Sequence, residues 1–339
     1  MGRGGERPGW YLHKTSLCIF FLTLLTNTYD SRYLSVILQT LFPIIALIIL
    51  GYGIRHTEFV PVEFFRASDK LVYFIFFPAM LFWKVGTAAG SDAVEPSLIY
   101  AGLLAVTVVF CVSTLFILYG GVRAFQAGSF SQSCYRFNTY IGMAVVMQAL
   151  GDEAVVQFAV LVGILIPIIN VMAVTILIWF SGMEMTRTKK CRYLVRALAS
   201  NPLIIACLAG LALSASGMQL PVFINNTFAL ASVVALPLAL ISIGSAFSFK
   251  YLPGHLRLSS VALAFKLVLF PLVGAGSLYL FGVEGTAFKT AMIFFCLPTS
   301  TAIYVLSSQL NSDTNLASAS IVLSTMASFV SLSLVLWWV

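Results

Sequence analysis

Apolar residues fall along this chain in ten runs, each long enough to cross a bilayer and separated from the next by a short polar stretch. The runs cover roughly residues 34–54, 66–86, 96–120, 131–150 and 153–180, then 201–217, 224–248, 257–281, 285–308 and 313–337. About 20 helical residues span the hydrocarbon core, because a helix rises only about 1.5 Å per residue. The runs are too long for the strands of an outer-membrane barrel and lack their polar–apolar alternation. The pattern predicts an all-α polytopic membrane protein with ten transmembrane helices.

The runs also repeat. Pro43, Gly51 and Pro78 have counterparts 159 positions later in Pro202, Gly210 and Pro237, and Pro61 and Gly86 are echoed within one position by Pro221 and Gly244. Gln148 and Asp152 pair with Gln309 and Asp313 at an offset of 161. The echo divides the chain into a first five-helix repeat (34–180), a basic linker (181–200) and a second five-helix repeat (201–339). Five is odd, so the second repeat enters the membrane from the opposite side, which gives an inverted duplication. Residues 1–33 are an N-terminal extension without a counterpart in the second half. Arg3, Arg7 and Lys14 lead there into a short apolar run that reads as a signal-anchor, an extra helix or an upstream start.

Composition agrees with the pattern. Hydrophobic residues make up 60% of the chain and charged residues 9%, against about 25% charged in soluble proteins. The net charge of +7 does not point to nucleic acid, because the positive residues lie in short loops. With span one starting outside, twelve Lys and Arg residues fall on the cytoplasmic side, among them Arg55, Arg66, Lys70, Arg123, Arg136 and Lys190. Only Lys84 and Lys289 fall on the other side after span one begins. This asymmetry directs both ends of the ten-helix body outward. The six cysteines have no CxxC spacing, and His13, His56 and His255 sit in loops away from them. No metal site, cofactor or catalytic set is expected, and no Asp or Glu falls near the middle of a span. Asp152 and Asp313, at the starts of spans five and ten, read as helix N-caps.

The fourth span of each half carries the candidate chemistry. In RFNTYIGMAVVMQALG a polar cluster, Asn138 and Thr139 followed by Gly142, interrupts the apolar run. In CLPTSTAIYVLSSQL the interruption is Pro298, Thr299, Ser300 and Thr301. At the 161 offset Asn138 falls on Thr299 and Thr139 on Ser300, so the two clusters are symmetry mates. Proline removes a backbone bond, and freed backbone groups at membrane depth are tolerated only inside protein or along a cavity. Two half-helix N-termini meeting there would favour an anion. The predicted substrate site is therefore Asn138, Thr139 and Gly142 facing Pro298, Thr299 and Ser300. Lys266 lies about ten residues into span eight. It reads either as a packing cation bonded to backbone carbonyls or as a charge facing the cavity, and it joins the site on the second reading.

Four stretches carry a resemblance: FPIIALIILGYGIR, RFNTYIGMAVVMQALG, NPLIIACLAGLAL with LPLALISIGSAFSF, and CLPTSTAIYVLSSQLNSDTNLASASIVLSTMASFVSL. Together they resemble the auxin efflux carrier family over about residues 34–337. That family includes bacterial malonate-transporter-like permeases and relatives of the plant auxin exporters. The resemblance implies ten helices with broken crossover helices four and nine, a scaffold bundle and a moving bundle. It also implies alternating access for small organic anions, mono- or dicarboxylates of auxin-like or malonate-like kind. The implied setting is a bacterial cytoplasmic (inner) membrane; the partners are the anion, the lipid bilayer and a second copy as a homodimer, without nucleic acid. Where the family has Pro shortly after the Gly of its fourth span, this chain has Ala144, which predicts a milder break resting on Asn138 and Gly142. The alternative is a sodium-coupled organic-anion symporter resembling the bile acid transporters.

Overall fold

The computed structural model describes residues 31–87, 95–180 and 201–338. The expectations for residues 1–30 and for the 181–200 linker lie outside these. Among the described residues there is no strand. Helix α1 (Ser31–His56) is followed by α2 (Val62–Leu71), which runs through a π-helical turn (Val72–Phe76) into α3 (Phe77–Gly86). Next come α4 (Pro96–Tyr119), α5 (Ala124–Tyr135), α6 (Thr139–Ala149) and α7 (Asp152–Phe180). The second half holds α8 (Pro202–Ser216), α9 (Val222–Ser245), α10 (Leu252–Ala264), a second π-helical turn (Phe265–Leu269) and α11 (Phe270–Leu280). It closes with α12 (Gly285–Phe295), α13 (Ala302–Gln309) and α14 (Thr314–Trp338).

Every predicted run is helical, but the runs differ in kind. Six stretches are long and apolar enough to cross a membrane: Ile37–His56, Pro96–Tyr119, Asp152–Phe180, Val222–Ser245, Phe249–Leu280 and Thr314–Trp338. The other four are short or interrupted. α8 has 15 residues, and α2 opens the second run with Arg66, Asp69 and Lys70. The fourth and ninth runs are each two half-helices. The fourth also starts earlier than predicted, at Ala124 instead of 131, because Gln126, Gly128 and Ser129 lower the hydropathy of the stretch 124–130.

Both π-helical turns precede a proline, Pro78 and Pro271, at the start of the next helix. A proline ring crowds the carbonyl four residues back. The widened turn relieves this by shifting the bond one residue: Phe77 N–H donates to the Val72 carbonyl and Phe270 N–H to that of Phe265.

Two packing groups follow from the sequence's glycines. α1 packs along α9, and α3 along α8. A Cβ added at Gly51 would overlap the carbonyl oxygen of Ile241; one at Gly210 would lie 2.9 Å from the carbonyl oxygen of Phe82. Gly51 and Gly210 are 159 apart, as are Phe82 and Ile241. The two close approaches are therefore reciprocal, as contacts across a two-fold axis are. In the second group α4 packs on α11 and α10 on α14, and α5 lies against α7 and α10. Phe42, Ile49, Leu208, Leu230 and Val233 are more than half exposed on α1, α8 and α9, the outward apolar surface that a lipid contact requires.

Candidate functional site

The chain leaves helix at residues 136–138, between α5 and α6, and again at 296–301, between α12 and α13. The two breaks are bonded to each other. Asn138 N–H donates to the Pro298 carbonyl at 2.9 Å, and the Thr299 hydroxyl donates to the Arg136 carbonyl at 3.4 Å. Each break also caps the helix that follows it. The Asn138 side-chain oxygen accepts from Tyr140 and Ile141 N–H at 3.1 and 3.2 Å, and the Ser300 hydroxyl accepts from Ala302 N–H at 3.2 Å. Thr299 N–H reaches the Ser324 hydroxyl at 3.2 Å, and the Ser331 hydroxyl donates to the Cys296 carbonyl at 3.0 Å. These backbone groups of the breaks are satisfied within protein, as they must be away from water.

The polar first half of the fourth run is held the same way. Ser129 bonds Ser307 of α13 at 2.8 Å and Ser312 at 3.0 Å, and Asp313 N–H donates to the Phe125 carbonyl at 2.9 Å. α5 therefore lies against α13, while α6 packs on α12. The two broken elements cross at 136–138 and 296–301. The α6 and α13 N-termini, with the partial positive charge of the helix dipole, start at this crossing.

Asn138, Thr139, Pro298, Thr299 and Ser300 meet there. Asn138 and Thr299 are buried, whereas Thr139 and Ser300 are half-buried. Gly142 is different: it lies within α6, not in the break, and a Cβ there would overlap the rings and methyls of Phe158 and Leu297. The expectation that the fourth-span break rests on Gly142 is corrected accordingly. The break is three residues long, shorter than the six of its mate, and it ends at Asn138. Lys266 stands on the second π-helical turn and is fully buried. Its ammonium lies 4.2 Å from the centroid of the Phe270 ring and has no hydrogen-bond partner among the described residues. The backbone-bonded reading of this lysine is not what the structure has.

A family model for membrane transport proteins matches residues 36–336. The chain belongs to that membrane transport family. It is the family of the auxin efflux carriers, in agreement with the four motif stretches. An uncharacterized transporter of Methanothermobacter thermautotrophicus is similar, 24% identical over 303 residues that cover 87% of this chain and 96% of the relative.

For this member of the transport family the structure adds residues that hydropathy and charge place elsewhere. Charge counting assigns Arg136 to the cytoplasmic loops, yet it sits in the first break, 8% exposed. Asp69, on α2, bonds the Ser242 hydroxyl of α9, so a carboxylate does stand inside a predicted span, though near its start. The Tyr140 ring meets Phe77 of α3 edge-on at 4.8 Å. The α2–α3 segment therefore faces the crossing. A signal was present for Arg136: an arginine two residues before the Asn-Thr cluster belongs to the break once α5 is known to be helical. Asp152, expected as a helix cap, instead pairs with Lys84 at 2.6 Å, whereas Asp313 does cap α14 through Asn315 and Leu316 N–H, both at 3.0 Å.

Proposed function

We propose that the chain is a secondary transporter of small organic anions, mono- or dicarboxylates, working by alternating access. The observation that carries this is the main-chain bond from Asn138 to Pro298, which joins two broken helices at a shared polar crossing. Such irregular backbone inside an apolar protein marks a place where a solute can be met. Substrate contacts come from Asn138, Thr139, Thr299 and Ser300, with Pro298 keeping the second break open. Gly142 lets Phe158 and Leu297 close over α6, and Lys266 acts through its field and not by touch, because it is sealed in the core. An enzymatic role has no nucleophile–base set at this crossing to support it.

The architecture proposed with it is ten helices in two inverted five-helix repeats, 34–180 and 201–339. The reciprocal Gly51–Ile241 and Gly210–Phe82 approaches support that symmetry. Both ends of the body face outward, in a cytoplasmic membrane. α1, α3, α8 and α9 form the scaffold, and the bundle containing the crossing moves against it.

The test is counterflow of a labelled carboxylate in proteoliposomes. Asn138→Ala should abolish it and Ser300→Ala should lower it, with folded protein retained. Flux unchanged by both substitutions refutes the site. Flux that requires sodium would favour a sodium-coupled symporter instead.

A further inference from the structure

The first break holds two hydrogen-bond donors that no described residue uses. Arg136 Nη1 and Asn138 Nδ2 are both buried and without a partner, in residues 8% and 2% exposed. No carboxylate lies within ion-pair distance of Arg136 among the described residues. The backbone arranges the two donors together. Arg136 (φ −69°, ψ 147°) and Asn138 (φ −87°, ψ 102°) are both extended, and along extended chain residues i and i+2 project to the same side. Phe137, between them, turns instead to the Phe294 ring, 4.4 Å between centroids. Asn138 is also oriented by its cap: its oxygen is occupied by the α6 N-terminus, so the amide nitrogen is the atom left over.

We infer that the guanidinium of Arg136 is the cation that selects for the substrate's carboxylate, seated beside the Asn138 contact already proposed. This rests on the transport reading above and deepens it. A guanidinium offers a planar fork matched to a carboxylate, and a charged hydrogen bond in a water-poor site is stronger than a neutral one. The α6 N-terminus beside it adds partial positive charge of the same sense. The crossing meets the α2–α3 segment through Tyr140 of α6, whose ring lies edge-on to Phe77. Lys266 stands on the second π-helical turn, outside both breaks, with its ammonium against the Phe270 ring, and is not the recognising cation.

The experiment pairs ligand and protein changes on full-length protein in detergent. Binding of malonate is compared with malonamide, and of indole-3-acetate with indole-3-acetamide, by calorimetry, for wild type, Arg136→Gln, Arg136→Lys and Lys266→Met. In wild type at least one acid should bind about tenfold to a hundredfold more tightly than its amide, the span expected for a hydrogen bond to a charged group. That ratio should fall to about one in Arg136→Gln and only in part in Lys266→Met, whose charge acts from the core and not by touch. Arg136→Lys keeps the charge without the fork, should give an intermediate ratio, and serves in its place if the glutamine variant does not fold. An acid–amide ratio unchanged by both Arg136 substitutions overturns the inference while leaving the transport reading intact. Wild type that binds no acid, yet shows counterflow of an uncharged or cationic solute, overturns both.

Discussion

Substituting Gly51 by alanine isolates one of the closest helix approaches among the described residues. The added Cβ would overlap the Ile241 carbonyl oxygen and lie 2.7 Å from its carbonyl carbon, where ordinary contact begins at 3.4 Å. The obstacle is backbone, so no rotamer change relieves it. α1 and α9 must part by about 0.7 Å or more, and a gap of that size forfeits about a quarter to a half of each dispersion contact along the seam. Ile44 and Ile48 on one side and Leu236, Leu240 and Ile243 on the other are buried and would lose contact together. The expected cost is about 3 kcal/mol, at the upper end for overpacking. Gly53 supplies the control, because a Cβ there meets nothing within 4 Å; Gly53→Ala should stabilise by about 0.5–1 kcal/mol through helix propensity alone. Melting curves of the purified variants in detergent, followed by fluorescence-detected size exclusion, give the order. Gly210→Ala should fall between them, since its contacts with Phe82 and Val85 are 2.9 and 3.0 Å. A Gly51→Ala protein as stable as Gly53→Ala would show that the two helices do not meet as described.

Three further outcomes concern the site and its supports. Asn138→Ala removes a helix cap and should cost about 1 kcal/mol of stability, whereas Asn138→Asp keeps the cap and exchanges the free amide donor for a carboxylate. Thermal melting should therefore rank Asp above Ala while transport is lost in both; transport retained by Asp would sink the donor role. Lys266→Met removes a buried charge that has no hydrogen bond among the described residues. Its melting temperature should not fall, because removing about 2.5–3.5 kcal/mol of insertion cost outweighs the cation–π contact of about 0.5–2 kcal/mol. A clear drop would mean that the ammonium has a partner. Asp152→Ala breaks the ion pair with Lys84, but the aspartate side chain is 77% exposed, so the loss should stay under about 1 kcal/mol and vanish in high salt.

Much of this is legible in the residues, and the exceptions have a common cause. Helix positions come from apolar run length, since a bilayer crossing imposes a length that loops do not share. The paired polar clusters come from the 161-residue echo, and both are breaks. Hydropathy fails where burial is achieved by protein instead of lipid. α5 carries Ser129, Ser131, Gln132 and Ser133, all buried; Ser129 bonds Ser307 and Ser312, Ser131 donates to the Tyr135 hydroxyl, and Ser133 donates to the Ser129 carbonyl. A transfer scale weighs such side chains against hydrocarbon and so starts the run at 131, leaving residues 124–130 of α5, Ser129 among them, to a loop. Arg136 falls within the predicted run 131–150, near its start, and is misplaced because charge counting treats an arginine close to a span's end as topogenic. Asp152 and Asp313 are sequence mates with different partners: the first pairs with Lys84 on a neighbouring helix end, the second caps its own helix.

The breaks and the glycine seams constrain motion in opposite ways. The crossing is tied by Asn138 to Pro298 and by Thr299 to the Arg136 carbonyl, so displacing one broken element along its axis pulls the other with it. The seams between α1 and α9 and between α3 and α8 are set by backbone against backbone at Gly51 and Gly210, where even one carbon is too much. Neither unit deforms at low cost, which leaves the contacts between units as the place for movement. Those contacts are soft by comparison: the Tyr140–Phe77 edge contact, the thiol of Cys207 reaching the Ala159 carbonyl at 3.5 Å, and the exposed Lys84–Asp152 pair. For the proposed alternating access, a rigid crossing sliding against a rigid scaffold costs the least. A disulfide placed across Cys207 and the facing Gly163, whose Cβ position lies 3.5 Å from the Cys207 sulfur, tests this directly. Gly163→Cys, oxidised, should arrest counterflow and recover on reduction, while a disulfide that leaves transport running would place the motion elsewhere.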